Sequence, residues 1–330
     1  MMRNRSISPV TRWLVRLAGH LVAWGPGRNR FLVVNYHRIL SAPDALLGSE
    51  PDLPTFRWQM ELLSSCFNVL PLEDAVRASA AGRLPPRAVC ITFDDGYRSL
   101  HNLALPVLRE FGLPATVFIA SGHIDKGNMW NDRIIEAVQA MPDGVLDLED
   151  LGLGSYALHN VAQRHAAIGV LTERCKYLPP GARHAAIERL CALAHRDHAS
   201  ELMLTREMVL DLDRNGVTIG AHTVSHPILT SLDDDSARTE IVDSKAELEA
   251  ILGKPVRLFA YPNGKRSKDY DDRHVAMVHQ AGFDAAFTTE VGAVTRTQDR
   301  FQMPRSRPWD SHPLGFGLRL QQWLAMGDPR

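Results

Sequence analysis

Short apolar segments alternate along the chain with segments in which apolar residues recur at helical spacing. Phe56, Met60 and Leu63 illustrate the second kind, because they fall on one face of a helix. A capping sequence over residues 231–234 predicts the start of a further helix, which ends at Gly253. The apolar segments predicted to be strands are residues 31–34, 88–93, 115–120, 217–219, 256–260 and 285–289. Strands that alternate with helices indicate βα units and a mainly parallel sheet.

Residues 125–205 show helical periodicity without a clear strand. We therefore expect a mostly helical insertion between two βα units. The rest of the chain divides into an amphipathic N-terminal segment (1–30), a central α/β unit built from residues 31–124 and 206–312, and a C-terminal tail (313–330).

The N-terminal segment begins with basic residues and continues into an apolar stretch, residues 13–24. This stretch is too short and too interrupted to span a bilayer, which needs about 20 apolar residues. Arg12, Arg16 and His20 lie four positions apart and would form one polar stripe on a helix. Three roles remain open: docking on the protein's own surface, lying in a membrane interface, or an atypical signal anchor. We expect a cytoplasmic protein with peripheral membrane contact through residues 10–25.

The composition excludes several classes of protein. With 45% hydrophobic and 23% charged residues among 330, the chain is neither disordered nor collagen-like. Its 37 Lys and Arg residues nearly balance its 38 Asp and Glu residues, which argues against nucleic acid as a partner. The cysteines show no C-x-x-C spacing and are expected to be buried thiols: Cys66, Cys90, Cys175 and Cys191.

Reactive or tight-turn residues follow four of the predicted strands. Because the carboxyl ends of parallel strands share one face of a sheet, we expect these residues to converge there. In chain order they are Tyr36 and His37, Asp94 and Asp95, His222 and His226, and the Tyr-Pro-Asn-Gly turn at 261–264.

Two histidines and a carboxylate from this set suit Zn²⁺ or a similar divalent ion. Three protein ligands leave a fourth position open to water, which is the arrangement of catalytic rather than structural zinc. Two adjacent carboxylates repel each other, so a metal ion on one lets the other remain ionised as a base. The same donors also suit Fe(II). A non-haem iron oxygenase is therefore an alternative, although it leaves Asp94 and His37 without a role.

Three segments resemble ordered motifs of the polysaccharide deacetylase family, that is, the NodB homology domain of carbohydrate esterase family 4. They are Thr-Phe-Asp-Asp-Gly-Tyr at 92–97, His-Thr-Val-Ser-His at 222–226 and Phe-Ala-Tyr-Pro-Asn-Gly at 259–264. The resemblance extends over roughly residues 30–310. It implies a distorted (β/α) barrel with fewer than eight strands, interrupted by the helical insertion.

The resemblance also implies a role for each polar residue. Asp94 would be the general base, and the metal ligands would be Asp95, His222 and His226. The Val-Asn-Tyr-His-Arg segment at 34–38 resembles the permuted branch of the family typified by poly-N-acetylglucosamine deacetylases. In that branch the acid histidine comes from the first strand, which is His37 here. The backbone N–H of Asn263 is the expected donor to the oxyanion.

The chain departs from the family pattern at two places. Ala260 replaces the arginine of the third motif that tethers the base, and Arg305 is a candidate substitute for it. The usual late motif with an acid histidine is missing, since His312 lacks the apolar strand context. The missing arginine alone leaves a catalytically inactive glycan-binding module of the same fold as a second alternative.

The sequence thus predicts a metal-dependent hydrolase that removes acetyl groups from a carbohydrate, in polysaccharide biosynthesis or modification. The expected cofactor is a divalent metal, Zn²⁺ in the first place. The expected partner is an acetylated glycan substrate. N-deacetylation is favoured, and O-deacetylation by the same groups stays open.

Overall fold

The computed structural model describes residues 7–25, 27–194, 201–307 and 310–326. The chain folds as two compact units. The described residues of the larger unit fall within 1–42, 49–124 and 204–330, and those of the smaller unit within 43–48 and 125–203.

Nine strands and eleven α-helices are found in the described residues. The strands are β1 (Phe31–Tyr36), β2 (Asn68–Val69), β3 (Ala88–Phe93), β4 (Ala115–Ile119), β5 (Val145–Leu148), β6 (Gly154–Ala157), β7 (Val217–Ala221), β8 (Leu258–Ala260) and β9 (Ala285–Phe287). The helices are α1 (Pro9–Trp24), α2 (Leu53–Cys66), α3 (Leu72–Ala80), α4 (Leu105–Glu110), α5 (Trp130–Ala140), α6 (Val161–Lys176), α7 (Pro180–Leu193), α8 (Arg206–Arg214), α9 (Asp234–Leu252), α10 (Asp272–Gln280) and α11 (Pro313–Met326).

The larger unit is organised around one parallel sheet of seven strands. The strands pair in the order β1-β3-β4-β7-β8-β9, and β2 pairs with β3. All six predicted strands are present, and β3 has the predicted bounds. The prediction missed β2, because two residues are too few to produce a periodic pattern.

The segment after β9 lies between the two edge strands of this sheet. Met303 forms a parallel bridge to Phe287 of β9, and Ser306 forms one to Val34 of β1. The Ser306 N–H donates to the carbonyl of Val33 at 2.8 Å, and the Asn35 N–H donates to the carbonyl of Ser306 at 3.0 Å. The sheet is therefore curled, and the distorted barrel with fewer than eight strands is confirmed.

The interior of the barrel is filled from one face of each strand, because successive strand residues point to opposite faces. Phe118 of β4 and Phe287 of β9 pack with ring centroids 5.5 Å apart, although these strands are not neighbours. Other members of this interior cluster include Phe31, Val33, Ala88, Cys90, Leu258 and Ala260. The same alternation continues into Asn35 of β1 and Thr92 of β3, so polar groups take over from apolar ones towards the carboxyl ends of the strands.

Two local details differ from the predictions: the mostly helical insertion contains a hairpin that was missed, and the predicted start of one helix is wrong. The insertion contains an antiparallel hairpin of β5 with β6, whose four-residue strands are too short to stand out among helical segments. Helix α9 begins later than predicted, because the carboxylate of Asp233 caps it by accepting the N–H of Ser236. Its predicted end is confirmed at Gly253, which adopts a φ of 68°. In the expected C-terminal tail, residues 313–326 form α11, which packs against α1 and α2.

The smaller unit has its own apolar core, formed by helices α5, α6 and α7 and the hairpin. All four cysteines of the chain are buried and form no disulfide, as predicted. Among the described residues, no helix combines the length and the apolar character needed to cross a membrane.

Candidate active site

The structure brings five of the predicted site residues together where three strands end. His37 follows β1, Asp94 and Asp95 follow β3, and His222 and His226 follow β7. The Nε2 atom of His37 lies 4.0 Å from Oδ2 of Asp94. The Nε2 atoms of His222 and His226 lie 3.6 and 3.5 Å from the same oxygen, Oδ1 of Asp95. The two adjacent aspartates therefore face different partners.

Asp94 is buried in a bidentate ion pair with Arg305. Nη1 of Arg305 lies 2.6 Å from Oδ1 of Asp94 and Nη2 lies 2.8 Å from Oδ2. Asn35 adds a donor, with Nδ2 at 2.9 Å from Oδ2. Burial alone would raise the pKa of Asp94, but the charge of Arg305, helped by His222 and His37, lowers it well below its ordinary value. Asp94 is therefore ionised throughout the neutral range.

Arg305 reaches Asp94 because it belongs to the segment that lies between β9 and β1. Its backbone N–H donates to the carbonyl of Glu290, and its Nε donates to the carbonyl of Thr288, both at 3.0 Å. Its guanidinium lies 5.2 Å from the ring centroid of Phe118 inside the barrel. The side chain of Arg305 is thus fixed along its whole length. It supplies Asp94 with a cation, which Ala260 cannot do.

The imidazole of His222 is oriented by the backbone. Its Nδ1 lies 2.7 Å from the carbonyl oxygen of Ala260 in β8. A carbonyl can only accept, so Nδ1 carries the proton and Nε2 turns its lone pair towards Asp95. Burial lowers the pKa of His222 to about 4 and lowers the pKa of His226 well below its usual value. Both imidazoles are neutral at pH 7, which is the form that binds metal ions.

Asp95, His222 and His226 fit a divalent metal ion in number, type and spacing. One donor atom from each lies within 4.8 Å of the others. Two ligands bound tetrahedrally to zinc at about 2.0–2.1 Å are separated by roughly 3.4 Å. The observed separations of 3.6 and 3.5 Å from the imidazole nitrogens to Asp95 are close to that value.

The loop between the two histidines is held by Glu240 of α9. One carboxylate oxygen of Glu240 accepts the backbone N–H groups of Val224 and Ser225, both at 2.8 Å. The other accepts the hydroxyl of Ser225 at 2.6 Å. The loop needs this support, because Thr223 and His226 adopt φ values of 65° and 55°, which are uncommon for residues other than glycine.

Asn263 lies in the turn after β8, with a φ of 58°. The following residue, Gly264, packs so closely that an added Cβ would lie 2.7 Å from the backbone nitrogen of Thr289. The hydroxyl of Thr289 donates to the carbonyl of Asn263 at 2.5 Å. The conformation of the turn is therefore fixed, whereas the role of the Asn263 N–H at an oxyanion stays a prediction.

His37 is flanked by an ion pair that the sequence did not reveal. Nη2 of Arg307 lies 2.5 Å from Oε1 of Glu50. Burial and the charge of Arg307 lower the pKa of His37, while Asp94 and Glu50 oppose that effect. The other histidine considered as an acid, His312, is exposed just before α11.

Sequence reasoning also missed Asn35 and Glu240. Asn35 lies two residues before His37, so strand alternation from the interior residues Phe31 and Val33 could have identified it. Glu240 carries no such signal, because it is one of several acidic residues on a long amphipathic helix.

Comparisons with known proteins show the family to which the chain is similar. The family model described as polysaccharide deacetylase matches residues 81–286. The chain is 20% identical over 275 residues to YxkH of Bacillus subtilis, whose assignment as a polysaccharide deacetylase is itself provisional; the match covers 83% of this chain and 70% of that protein. It is 28% identical over 125 residues to the poly-beta-1,6-N-acetyl-D-glucosamine N-deacetylase of Staphylococcus epidermidis, or 34% of this chain and 43% of that protein. The solved structure of the deacetylase PplD of Streptococcus pyogenes superimposes with a TM-score of 0.60 at 19% identity, over 88% of this chain and 98% of that one. This likeness shows the fold alone.

We predict that Arg305→Gln destabilises the protein and that the loss depends on pH. Removal of one partner from a buried pair costs about 3–5 kcal/mol. The lowered pKa of Asp94 stabilises the wild type at pH values above the ordinary pKa of a carboxylate. In the variant, burial without the cation raises this pKa, which destabilises the folded protein at the same pH values. The difference in the free energy of unfolding should therefore grow from about pH 3 to pH 7, as measured by urea denaturation. Arg305→Lys, which keeps the charge, should lose less of the free energy of unfolding. A difference between wild type and Arg305→Gln that does not change with pH would contradict the role of Arg305 in keeping Asp94 ionised.

We also predict that Glu240→Gln weakens metal binding without unfolding the protein. A neutral amide cannot accept three donors as a carboxylate does, so the His222–His226 loop loses its support. The affinity for Zn²⁺, measured by competition with a chelating dye, should fall by about 10–100-fold. Asp243→Asn removes the same charge from an exposed position of α9 and is the matched control. Equal affinities for the two variants would refute the role of Glu240.

Proposed function

This chain belongs to the polysaccharide deacetylase family, and we propose that it is a metal-dependent hydrolase that removes N-acetyl groups from a carbohydrate. The observation that carries the proposal is the different environment of two adjacent aspartates. Asp94 is paired with Arg305, and Asp95 faces the imidazoles of His222 and His226. One carboxylate is thereby available as a base while the other is available as a ligand.

Asp95, His222 and His226 would hold the metal ion, with Zn²⁺ as the first candidate. When bound, such an ion polarises a water molecule and the acetyl carbonyl of the substrate. The neutral state of both imidazoles and the Nδ1–H bond of His222 to the Ala260 carbonyl support this assignment.

The remaining residues would move protons and stabilise charge. Asp94 accepts a proton from the attacking water, and Arg305 keeps its carboxylate ionised and fixed in orientation. His37, 4.0 Å from Asp94, donates a proton to the departing amine. The backbone N–H of Asn263 stabilises the oxyanion. Acetate and an amino sugar are the products.

We propose an acetylated glycan of the N-acetylhexosamine type as the substrate. The support is the named activity of the Staphylococcus epidermidis relative, together with the position of His37 at the end of β1. Deacetylation exposes an amine that becomes cationic, so the reaction would change the charge of the polysaccharide or of its precursor. An O-acetylated glycan is the comparison substrate that distinguishes amide from ester hydrolysis.

The two alternatives from the sequence have lost support. The inactive glycan-binding module was favoured only by the missing arginine at Ala260, and Arg305 supplies that guanidinium. The iron oxygenase would leave unexplained the ion pair of Asp94 and the presence of His37 beside it.

We predict that the same substitution affects Zn²⁺ binding differently at the two adjacent aspartates. Asp94→Asn should keep the affinity for Zn²⁺ and lower acetate release from N-acetylglucosamine oligomers by about 10²–10⁴-fold. Asp95→Asn should weaken Zn²⁺ binding, because it removes a ligand. Binding is measured by calorimetry and turnover by a coupled acetate assay, with and without a chelator. The proposed function fails if chelated protein retains its full rate.

We further predict that kcat falls as pH rises through the pKa of His37, because only the protonated imidazole can donate. Burial and Arg307 lower this pKa, so the fall should begin below the ordinary histidine value of about 6.5. Arg307→Gln removes a positive charge and should move the fall to higher pH, whereas Glu50→Gln should move it to lower pH. The pH profile of kcat measures both shifts.

Arg307→Lys is the control for charge, and it should leave the profile near that of the wild type. His37→Ala should slow hydrolysis of the amide and spare an activated aryl ester, whose leaving group needs no proton. Equal losses on both substrates would assign His37 to substrate binding instead.

A further inference from the structure

One face of α1 exposes a row of large apolar side chains, here called the α1 ridge. Its members are between 44% and 88% exposed and lie three or four positions apart: Val10, Trp13, Leu17, Leu21 and Trp24. At about 100° per residue they fall within an arc of roughly 80°, along a helix about 24 Å long. Isolated exposed apolar residues are normal on proteins, but a continuous row of five marks an interaction surface.

The basic side chains of α1 contact the protein itself instead of forming a free polar stripe. Arg12 forms an ion pair with Glu61 of α2. Arg16 donates from Nε to the carbonyl of Ser65 at 2.8 Å. The two faces of the helix are therefore placed the other way round from an ordinary amphipathic helix on a protein surface. Two arginines are turned towards α2, and the apolar ridge is turned to solvent.

Close packing against α11 prevents α1 from rolling to bury its ridge. Val15 and Gly19 are the buried residues of the helix. A Cβ at Gly19 would lie 2.7 Å from Nε2 of Gln321, and a Cβ at Gly317 would lie 2.5 Å from Cγ2 of Val15. The two helices therefore touch through glycine on each side, and this contact fixes which face of α1 remains outside.

The N-terminal segment that contains the ridge has an excess of positive charge. Residues 1–30 contain six arginines and neither Asp nor Glu, although the whole chain has a net charge of −1. Arg16, His20 and Arg28 are exposed in the described part of this segment. This charge complements an anionic surface, whereas ridge-to-ridge pairing of two copies would bring two basic segments together and repel.

We propose that the α1 ridge inserts into the interface of an anionic lipid bilayer, with α1 lying parallel to the membrane. The two tryptophans, near opposite ends of the ridge, have the amphipathic rings that prefer the headgroup level. The exposed Arg16, whose partner in the protein is a neutral carbonyl, and the exposed Arg28 interact with the lipid charges, and the ridge contributes its apolar area. The proposal is independent of the catalytic one, since the ridge contains no residue of the candidate active site.

The test is flotation of the full-length protein with vesicles of phosphatidylcholine, alone or mixed with phosphatidylglycerol. We expect binding to the mixed vesicles that weakens as salt is added. The double variant Trp13→Gln/Trp24→Gln should lose about tenfold or more in partitioning. The matched control, Val145→Gln/Val242→Gln, removes two exposed apolar side chains outside α1 and should bind like the wild type. Circular dichroism checks that each variant is folded, and Leu21→Gln is the milder substitute if the double variant is not.

Three results would overturn the proposal. The first is a wild type that floats with neither kind of vesicle, and the second is a ridge variant that floats as well as the wild type. The third is a dimer in light scattering that the ridge variant converts to monomers without any vesicle binding, which would assign the ridge to a second copy of the chain.

Discussion

The buried ion pair between Asp94 and Arg305 is the interaction on which the site depends. A carboxylate in the interior of a barrel would take up a proton unless a cation faced it at short range. Arg305 is that cation, and it arrives from a segment 211 residues further along the chain. The pair forms because residues 303–306 lie between β9 and β1, which brings Arg305 to the carboxyl end of β3. The ionised state of Asp94 therefore depends on the curling of the sheet.

The separation of Asp94 from Asp95 rests on backbone geometry. Asp95 adopts a φ of 71°, which turns the chain sharply after β3 and points two consecutive side chains at different partners. Positive φ values recur at Thr223, His226 and Asn263, in the turns after β7 and β8. Strain of this kind persists only where hydrogen bonds fix the backbone, and Glu240 provides them in the histidine loop.

The sequence predicted those parts of the molecule that depend on local patterns. Strand β3, with six consecutive buried residues, was predicted to the residue, and the polar residues at the strand ends followed from the geometry of parallel sheets. The hairpin of β5 and β6 was missed because its signal spans only four residues in each strand. The ion pair of Arg307 with Glu50 and the outward turn of the α1 ridge depend on packing between distant segments, for which a single sequence contains no periodic signal.

The arginine that pairs with Asp94 comes from position 305, whereas position 260 holds alanine. Ala260 is completely buried beside Phe118 and Phe287, and the guanidinium of Arg305 packs over Phe118 in the same interior. The backbone carbonyl of Ala260 accepts the Nδ1–H of His222, a contact that does not depend on the side chain at position 260. The guanidinium at bidentate distance from Asp94 therefore comes from the segment between β9 and β1, and β8 contributes a backbone carbonyl to the site instead.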